Sequence, residues 1–220
     1  SSYEGQVWYD KSTGKLRTVI GFGAFASAPD APISRQSTAG SGGSTSAAWS
    51  AGGNSPSPTS EGTTTTIEYD GSAWGSGGAM SNARRATSGA GTLTAGLAVA
   101  GGDAPPFNST LTACEEYDGS SWTAGGALNS QRSSHAAWGT QTAGCMTSGE
   151  ITASPASFGP TEEYDGSSWT ATVNVNTQRA SDCALGTQTA GLFIGGGPPS
   201  KLVEQYDGST WTNKNDLAQP

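Results

Sequence analysis

The chain has 220 residues, 33 of them glycine, and a formal net charge of −8. Ten scattered Lys and Arg residues exclude a nucleic-acid partner, because phosphate recognition needs clustered cations, and they argue equally against binding to an anionic membrane surface. No apolar run approaches the roughly 18 residues of a membrane-spanning helix, so no membrane insertion is expected.

Leu, Ile, Val and Phe make up about 11% of the chain, below the roughly 20% at which disorder is suspected. Charge density is nevertheless low, whereas disorder pairs weak hydrophobicity with strong charge. Seven Trp and six Tyr also recur at fixed places. A folded protein is expected, with a core of Ala, Gly and Thr pinned by aromatic rings.

Residues 1–28 stand apart. The run EGQVWYDKSTGKLRTVIG reads as two strands, QVWYD and KLRTVI, joined by a KSTG turn, with Val7/Tyr9 and Leu16/Thr18/Ile20 alternating. Two readings are open: the outer hairpin of an incomplete repeat unit, since Trp8-Tyr9-Asp10 echoes a later phrase, or a separate attachment hairpin.

Residues 29–220 form a repeat domain with units at about 29–76, 77–124, 125–171 and 172–213. Each unit runs Arg, a small-residue stretch, Gly-Gly, a variable loop, and a Tyr-Asp-Gly phrase ending in Trp. The phrase begins at Tyr69, Tyr117, Tyr164 and Tyr206, and Trp74, Trp122, Trp169 and Trp211 each follow by five residues. EEYDGSSWT occurs twice without change, at 115–123 and 162–170, flanked by the looser IEYDGSAWG and EQYDGSTWT. The recurrent arginines are Arg35, Arg84, Arg132 and Arg179. No segment carries a sustained helical period, and Gly and Pro punctuate everything. Four short strands per 42–49 residues fit one blade of a β-propeller. The expected class is therefore all-β: about four blades of four-stranded antiparallel sheet, preceded by an N-terminal β-hairpin.

Asp-Gly suits a two-residue type I′ turn, which would pair Tyr117 with Ser120. A four-residue loop, Asp118 to Ser121, would set Tyr117 opposite Trp122. Both put the two rings on one face, so the constant spacing of five reads as a packing rule rather than a sugar-stacking platform. The arginines read as structural forks holding carbonyls or a carboxylate of the adjacent blade, with Glu116 and Glu163 as candidate partners; the alternative is four Arg facing one carboxylate ligand. Cys114, Cys145 and Cys183 read as three free, mostly buried thiols, one disulfide with a leftover thiol being the alternative. His135 is the only histidine, which is too few for a zinc site. Beside Ala136-Ala137-Trp138 it reads as structural. Glu150 and Asp182 are available carboxylates, but no motif singles them out as a glycosidase pair. No catalytic, cofactor or metal residue is assigned, no cofactor is expected, and ligand-binding residues stay open.

Arg, Gly-Gly, Tyr-Asp and Trp in this order and period resemble kelch repeats, matched at Gly101-Gly102, Gly195-Gly196, Tyr69/Trp74, Tyr117/Trp122, Tyr164/Trp169 and Tyr206/Trp211. The third unit departs, with Ser148-Gly149 for the double glycine. EEYDGSSWTAGGALN, GTQTAGL and GQVWYDKSTGKL further resemble repeats of structural proteins in tailed bacteriophage virions, especially marine ones. That resemblance implies a non-enzymatic tail fibre or surface appendage on the virion surface, assembled with other virion subunits as a homo-oligomer. It also implies contact with host surface polysaccharide, for which variable loops such as 103–110 and 150–160 are the natural place. A bacterial secreted or surface adhesin, and the propeller part of a carbohydrate-active enzyme, are the alternatives.

Overall fold

A computed structural model describes residues 7–10, 15–18, 29–54, 61–102, 110–151, 160–180, 183–197 and 201–218. Strands β1 (Val7–Asp10) and β2 (Lys15–Thr18) pair antiparallel as a two-stranded sheet of their own. Only their backbone is described, so the expected side-chain alternation there lies outside the described residues.

The rest is all β-strand, and the described residues contain no helix. Blade 1 comprises β3 (Ala39–Ser44), β4 (Ala47–Ala51), β5 (Thr66–Tyr69) and β6 (Trp74–Ser76). Blade 2 comprises β7 (Ser88–Thr92), β8 (Ala95–Val99), β9 (Cys114–Tyr117) and β10 (Trp122–Ala124). Blade 3 comprises β11 (Ala136–Thr140), β12 (Ala143–Thr147), β13 (Glu162–Tyr164) and β14 (Trp169–Ala171). Blade 4 comprises β15 (Cys183–Thr187), β16 (Ala190–Ile194), β17 (Val203–Tyr206) and β18 (Trp211–Asn213). Strands follow chain order within every sheet, and the four antiparallel sheets form a four-bladed β-propeller.

Each unit's first strand is innermost. β3 packs on β7, β7 on β11 and β11 on β15, and all four line a central cavity of about 410 Å³. Strands brought this close leave room for little beyond Gly, Ala and Ser, which explains the scarcity of large aliphatics. The large side chains lie between blades instead. Trp49, Met80, Tyr117 and Trp122 form the core between blades 1 and 2. Leu97, Leu128, Met146, Tyr164 and Trp169 fill the next interface. Trp138, Val175, Phe193, Tyr206 and Trp211 fill the one between blades 3 and 4.

The structure chooses the longer turn for the repeated phrase. Tyr117 lies opposite Trp122, Tyr164 opposite Trp169 and Tyr206 opposite Trp211. Gly119 has φ +94° whereas Asp118 keeps an ordinary φ, so the two positive values of a type I′ turn are not met. The Asp side chain organises the loop: Asp118 Oδ1 accepts the N–H of Ser120 and of Ser121, both at 2.8 Å. The paired rings lie 4.7–5.0 Å apart in the three later blades.

The double glycine needs one correction. The positive-φ pair falls at Gly52-Gly53, Ala100-Gly101, Ser148-Gly149 and Gly195-Gly196. In blade 2 the equivalent pair is thus Ala100-Gly101, one residue earlier than Gly101-Gly102. In blades 2 and 3 only the second position demands glycine: a Cβ on Gly101 would come 2.7 Å from the Arg85 carbonyl, and one on Gly149 2.7 Å from the Ser133 carbonyl. Its N–H also ties neighbouring blades together, Gly53 to the Arg84 carbonyl and Gly101 to the Arg132 carbonyl, at 2.8 and 3.0 Å. Ser148 replaces the tolerant first glycine, and its hydroxyl bonds the backbone of Arg179.

Candidate functional site

Arg84, Arg132 and Arg179 are completely or almost completely buried, Arg35 is half-buried, and the four do not converge on one point. Arg84 pairs with Glu115 at 2.5 Å, Arg132 with Glu162 at 2.7 Å and Arg179 with Glu204 at 2.5 Å. These partners correct the candidates Glu116 and Glu163, and each pair lies within one blade rather than between blades. Strand alternation gives the reason: Glu115 shares a face with Tyr117, whereas Glu116 points to the opposite face. Every pair is completed by backbone. Arg132 Nη1 also donates to the Ser148 and Pro160 carbonyls at 3.2 and 3.0 Å, and Glu162 Oε2 accepts the N–H and side-chain amide of Asn129. Burial pulls the Arg84 and Arg132 guanidinium values down, and the paired glutamates oppose that shift. In blade 1 the matching carboxylate is absent: Ile67 stands there, and Arg35 bonds the Gly52 and Thr65 carbonyls.

Glu116 and Glu163 serve the blade interfaces. The Tyr hydroxyl of each later blade donates to the preceding blade: Tyr117 to Glu68, Tyr164 to Glu116 at 2.5 Å and Tyr206 to Glu163 at 2.8 Å. Burial, reinforced by these carboxylates, pushes all three phenols up to about 12. The Trp indole crosses the same boundary. Trp122 donates to Thr66 Oγ1 at 2.8 Å and Trp211 to Thr161 Oγ1 at 3.0 Å. Trp169 meets Cys114 at the equivalent place, where the only acceptor offered is a sulfur, a weak one. A side-chain amide supplies a further link: Gln141 donates to the Gly96 and Tyr117 carbonyls, and Gln188 to those of Gly144 and Tyr164. Finally, Gly96, Gly144 and Gly191 receive Trp49, Leu97 and Trp138 of the preceding blade, each within 3.0 Å of where a Cβ would stand.

The tyrosine–carboxylate bond and the seating of a large side chain over a glycine recur at three boundaries, the indole–hydroxyl bond and the amide link at two of them, and among the described residues none is found at the fourth, between blades 4 and 1. β15 and β3 share no comparable packing. Blade 4 carries Val203 and Gln205 where earlier blades carry Thr or Cys and Glu, and blade 1 carries Ala48 where later blades have glycine. Leu185 on β15 is 51% exposed. Tyr69 and Trp74 are therefore only half-buried. The Tyr69 hydroxyl turns back to the Gly71 carbonyl at 2.9 Å, and the Trp74 indole donates to the Pro29 carbonyl at 3.1 Å.

The other candidates stay dispersed. His135 is buried, neither ring nitrogen has a hydrogen-bond partner, and burial followed by the nearby Arg132 cation depresses it to about 3. Glu150 is exposed and its backbone bridges to Ser133. Asp182 and most of the loops 103–110 and 150–160 lie outside the described residues. All three cysteines are free; Cys114 and Cys145 are buried, whereas Cys183 is exposed. Burial raises the Cys114 thiol to about 11 and pushes Cys145 up as well. Among the described residues no group of three or more His, Cys, Asp and Glu could hold a metal ion.

Sequence reasoning had passed over one local feature, a cleft of about 210 Å³ beside Tyr69 and Trp74 that Asp70, Ala73 and Leu93 also line. Its signal was the imperfection of the first phrase, IEYDGSAWG, and of GTLT against GTQT. No protein-family model matches the chain, and no curated protein matches it.

Proposed function

We propose that this chain is a non-enzymatic structural protein of a bacteriophage virion, a tail fibre or surface appendage built from kelch-like blades that meets host surface glycans. The observation that carries the reading is how the recurrent chemistry is used. The repeated Arg, Glu, Tyr and Trp side chains, the groups a catalytic or ligand-binding repeat would present, hold blade to blade or strand to strand at three successive units. Scaffolds repeat, whereas sites are singular. The phage assignment rests on the resemblance of EEYDGSSWTAGGALN, GTQTAGL and GQVWYDKSTGKL to repeats of such proteins.

Antibody labelling and a density map of intact particles test the reading. Density for this chain on the outer surface of the particle is the expected result. Its absence from purified particles, or turnover of a glycan panel that disappears when one carboxylate is replaced, would overturn it.

A further inference from the structure

We propose that the open face of blade 4 docks onto the open face of blade 1 in a second copy of this chain, head to tail. The proposal stands apart from the reading as a virion protein, because it uses only the two blade faces.

Strand register defines the first face. Cys183 pairs with Ile194, which pairs with Val203, and Leu185 pairs with Leu192, which pairs with Gln205. Cross-strand partners share a face, so these six side chains point together, away from blade 3. An end unit that stays alone carries a polar outer face, whereas this one is mostly aliphatic. The same positions are interior in the earlier blades. Trp49, Leu97 and Cys145, the counterparts of Leu192, are at most 2% exposed. In blade 4 Leu185 is half exposed, and Leu192, Ile194 and Val203 are only partly covered.

The second face is its complement. Gly42, Ala48, Tyr69 and Trp74 pair in turn across blade 1, on the side away from blade 2. Its inner strands carry almost no side chain, as at Gly96, Gly144 and Gly191, which seat a neighbour's large side chain. The first strand carries a further mark. A Cβ on Gly89 would stand 3.0 Å from the Gly40 nitrogen of the preceding blade. Gly40 holds the same place in blade 1, and a Cβ there would meet only the Trp49 carbonyl of its own blade, at 3.4 Å. Blade 1 thus keeps a close-approach glycine that nothing among the described residues approaches.

Departures from the repeat on the two faces answer each other. Ala48 makes the seat shallower by one methyl group, and Leu185 and Leu192 are shorter than the Trp49 and Trp138 that fill glycine seats elsewhere. The Trp74 indole is already bound to the Pro29 carbonyl, and Val203, at the place of the usual acceptor, offers none. The Tyr69 hydroxyl is already bound to the Gly71 carbonyl, and Gln205, at the place of the usual glutamate, carries no charge. Donor and acceptor are withdrawn together, so the faces meet and part without stranding a buried charge. A head-to-tail contact leaves one face free at each end, and copies add until a ring closes. Closure of blade 4 on blade 1 within one chain is the competing occupant, but β15 and β3 make no such packing.

Sedimentation of the whole chain over a concentration series tests the proposal. Species larger than the monomer are expected, growing with concentration. Leu185→Asp on one face and Ala48→Glu on the other are each expected to weaken association about tenfold or more, at an unchanged melting temperature in dilute solution. A mixture of the two variants is expected to give dimers and nothing larger, since each supplies the face the other lacks. A disulfide reads the register. Between blades 2 and 3 the Ala137 N–H reaches Ser88 Oγ at 2.9 Å, and Gly40 and Cys183 hold the equivalent positions. Gly40→Cys is therefore expected to link copies through Cys183 on oxidation, and Cys183→Ser to abolish the link. A monomer at every concentration, assembly that Leu185→Asp and Ala48→Glu leave intact, a mixture that stays monomeric, or a disulfide closed within one chain would overturn the proposal.

Discussion

Replacing Glu162 with alanine is expected to lower the unfolding free energy by about 3–5 kcal/mol, the cost of leaving a buried charge without its partner. Arg132 and Glu162 are about 1% and 0% exposed, so water cannot replace the lost carboxylate. Two further donors from Asn129 also lose their acceptor. The double variant Arg132→Met, Glu162→Leu is expected to recover much of the loss, because removing both charges also removes the desolvation cost. Blade 1 already has an apolar residue in place of its glutamate, with Ile67 buried and the guanidinium of Arg35 left to backbone carbonyls. Urea denaturation of the single and double variants measures both effects. An unchanged midpoint for Glu162→Ala would mean that the ion pair is not buried in solution.

Acidification from neutrality should destabilise the protein well before its carboxylates titrate. His135 ordinarily titrates near 6.5, and burial followed by the Arg132 cation hold it at about 3 in the folded chain. Between those values the unfolded chain binds a proton that the folded chain refuses. Stability is therefore full above about pH 6.5 and falls as the pH drops toward 3, by about 1.4 kcal/mol per pH unit. The turn aspartates Asp118, Asp165 and Asp207 are held at about 2 by backbone and hydroxyl donors. Their stabilising contribution is lost only below about pH 4, leaving a window in which the histidine acts first. His135→Thr copies blade 2, where Thr87 Oγ1 donates to the Val99 carbonyl at 2.8 Å. In that variant the melting temperature should stay flat from pH 6.5 to 4.5, whereas the parent's should fall. Parallel curves for the two proteins would assign the acid sensitivity elsewhere.

The propeller and its four units were legible because one blade is one sequence period, and Tyr-Asp-Gly with Trp five residues later marks the same hairpin in each. The length of that turn was not, since Asp-Gly fits either loop and the choice rests on hydrogen bonds from Asp118 to the N–H groups of Ser120 and Ser121. The partner of Arg132 was misread between adjacent glutamates. Strand alternation separates Glu162 from Glu163, but which face meets the blade's own arginine depends on packing that a sequence does not carry. The equivalence of Ala100-Gly101 to the double glycines was hidden because spelling favours Gly101-Gly102 while the backbone needs glycine only at Gly101. The cleft was visible only as disagreement between copies: Ala73 for a hydroxyl residue, and Leu93 for glutamine.

Tyr→Phe substitution at each of the four phrase positions, read by urea denaturation, most directly tests the central claim that three blade interfaces share a tyrosine–carboxylate bond that the fourth lacks. Tyr117→Phe, Tyr164→Phe and Tyr206→Phe each remove a hydroxyl bonded to a carboxylate across a boundary, and each is expected to cost about 1.5–3 kcal/mol. Tyr69→Phe removes only a bond to its own turn and is expected to cost under about 0.5 kcal/mol, as for an ordinary surface change. Equal losses at all four positions would mean that blade 4 closes on blade 1, and would contradict the account.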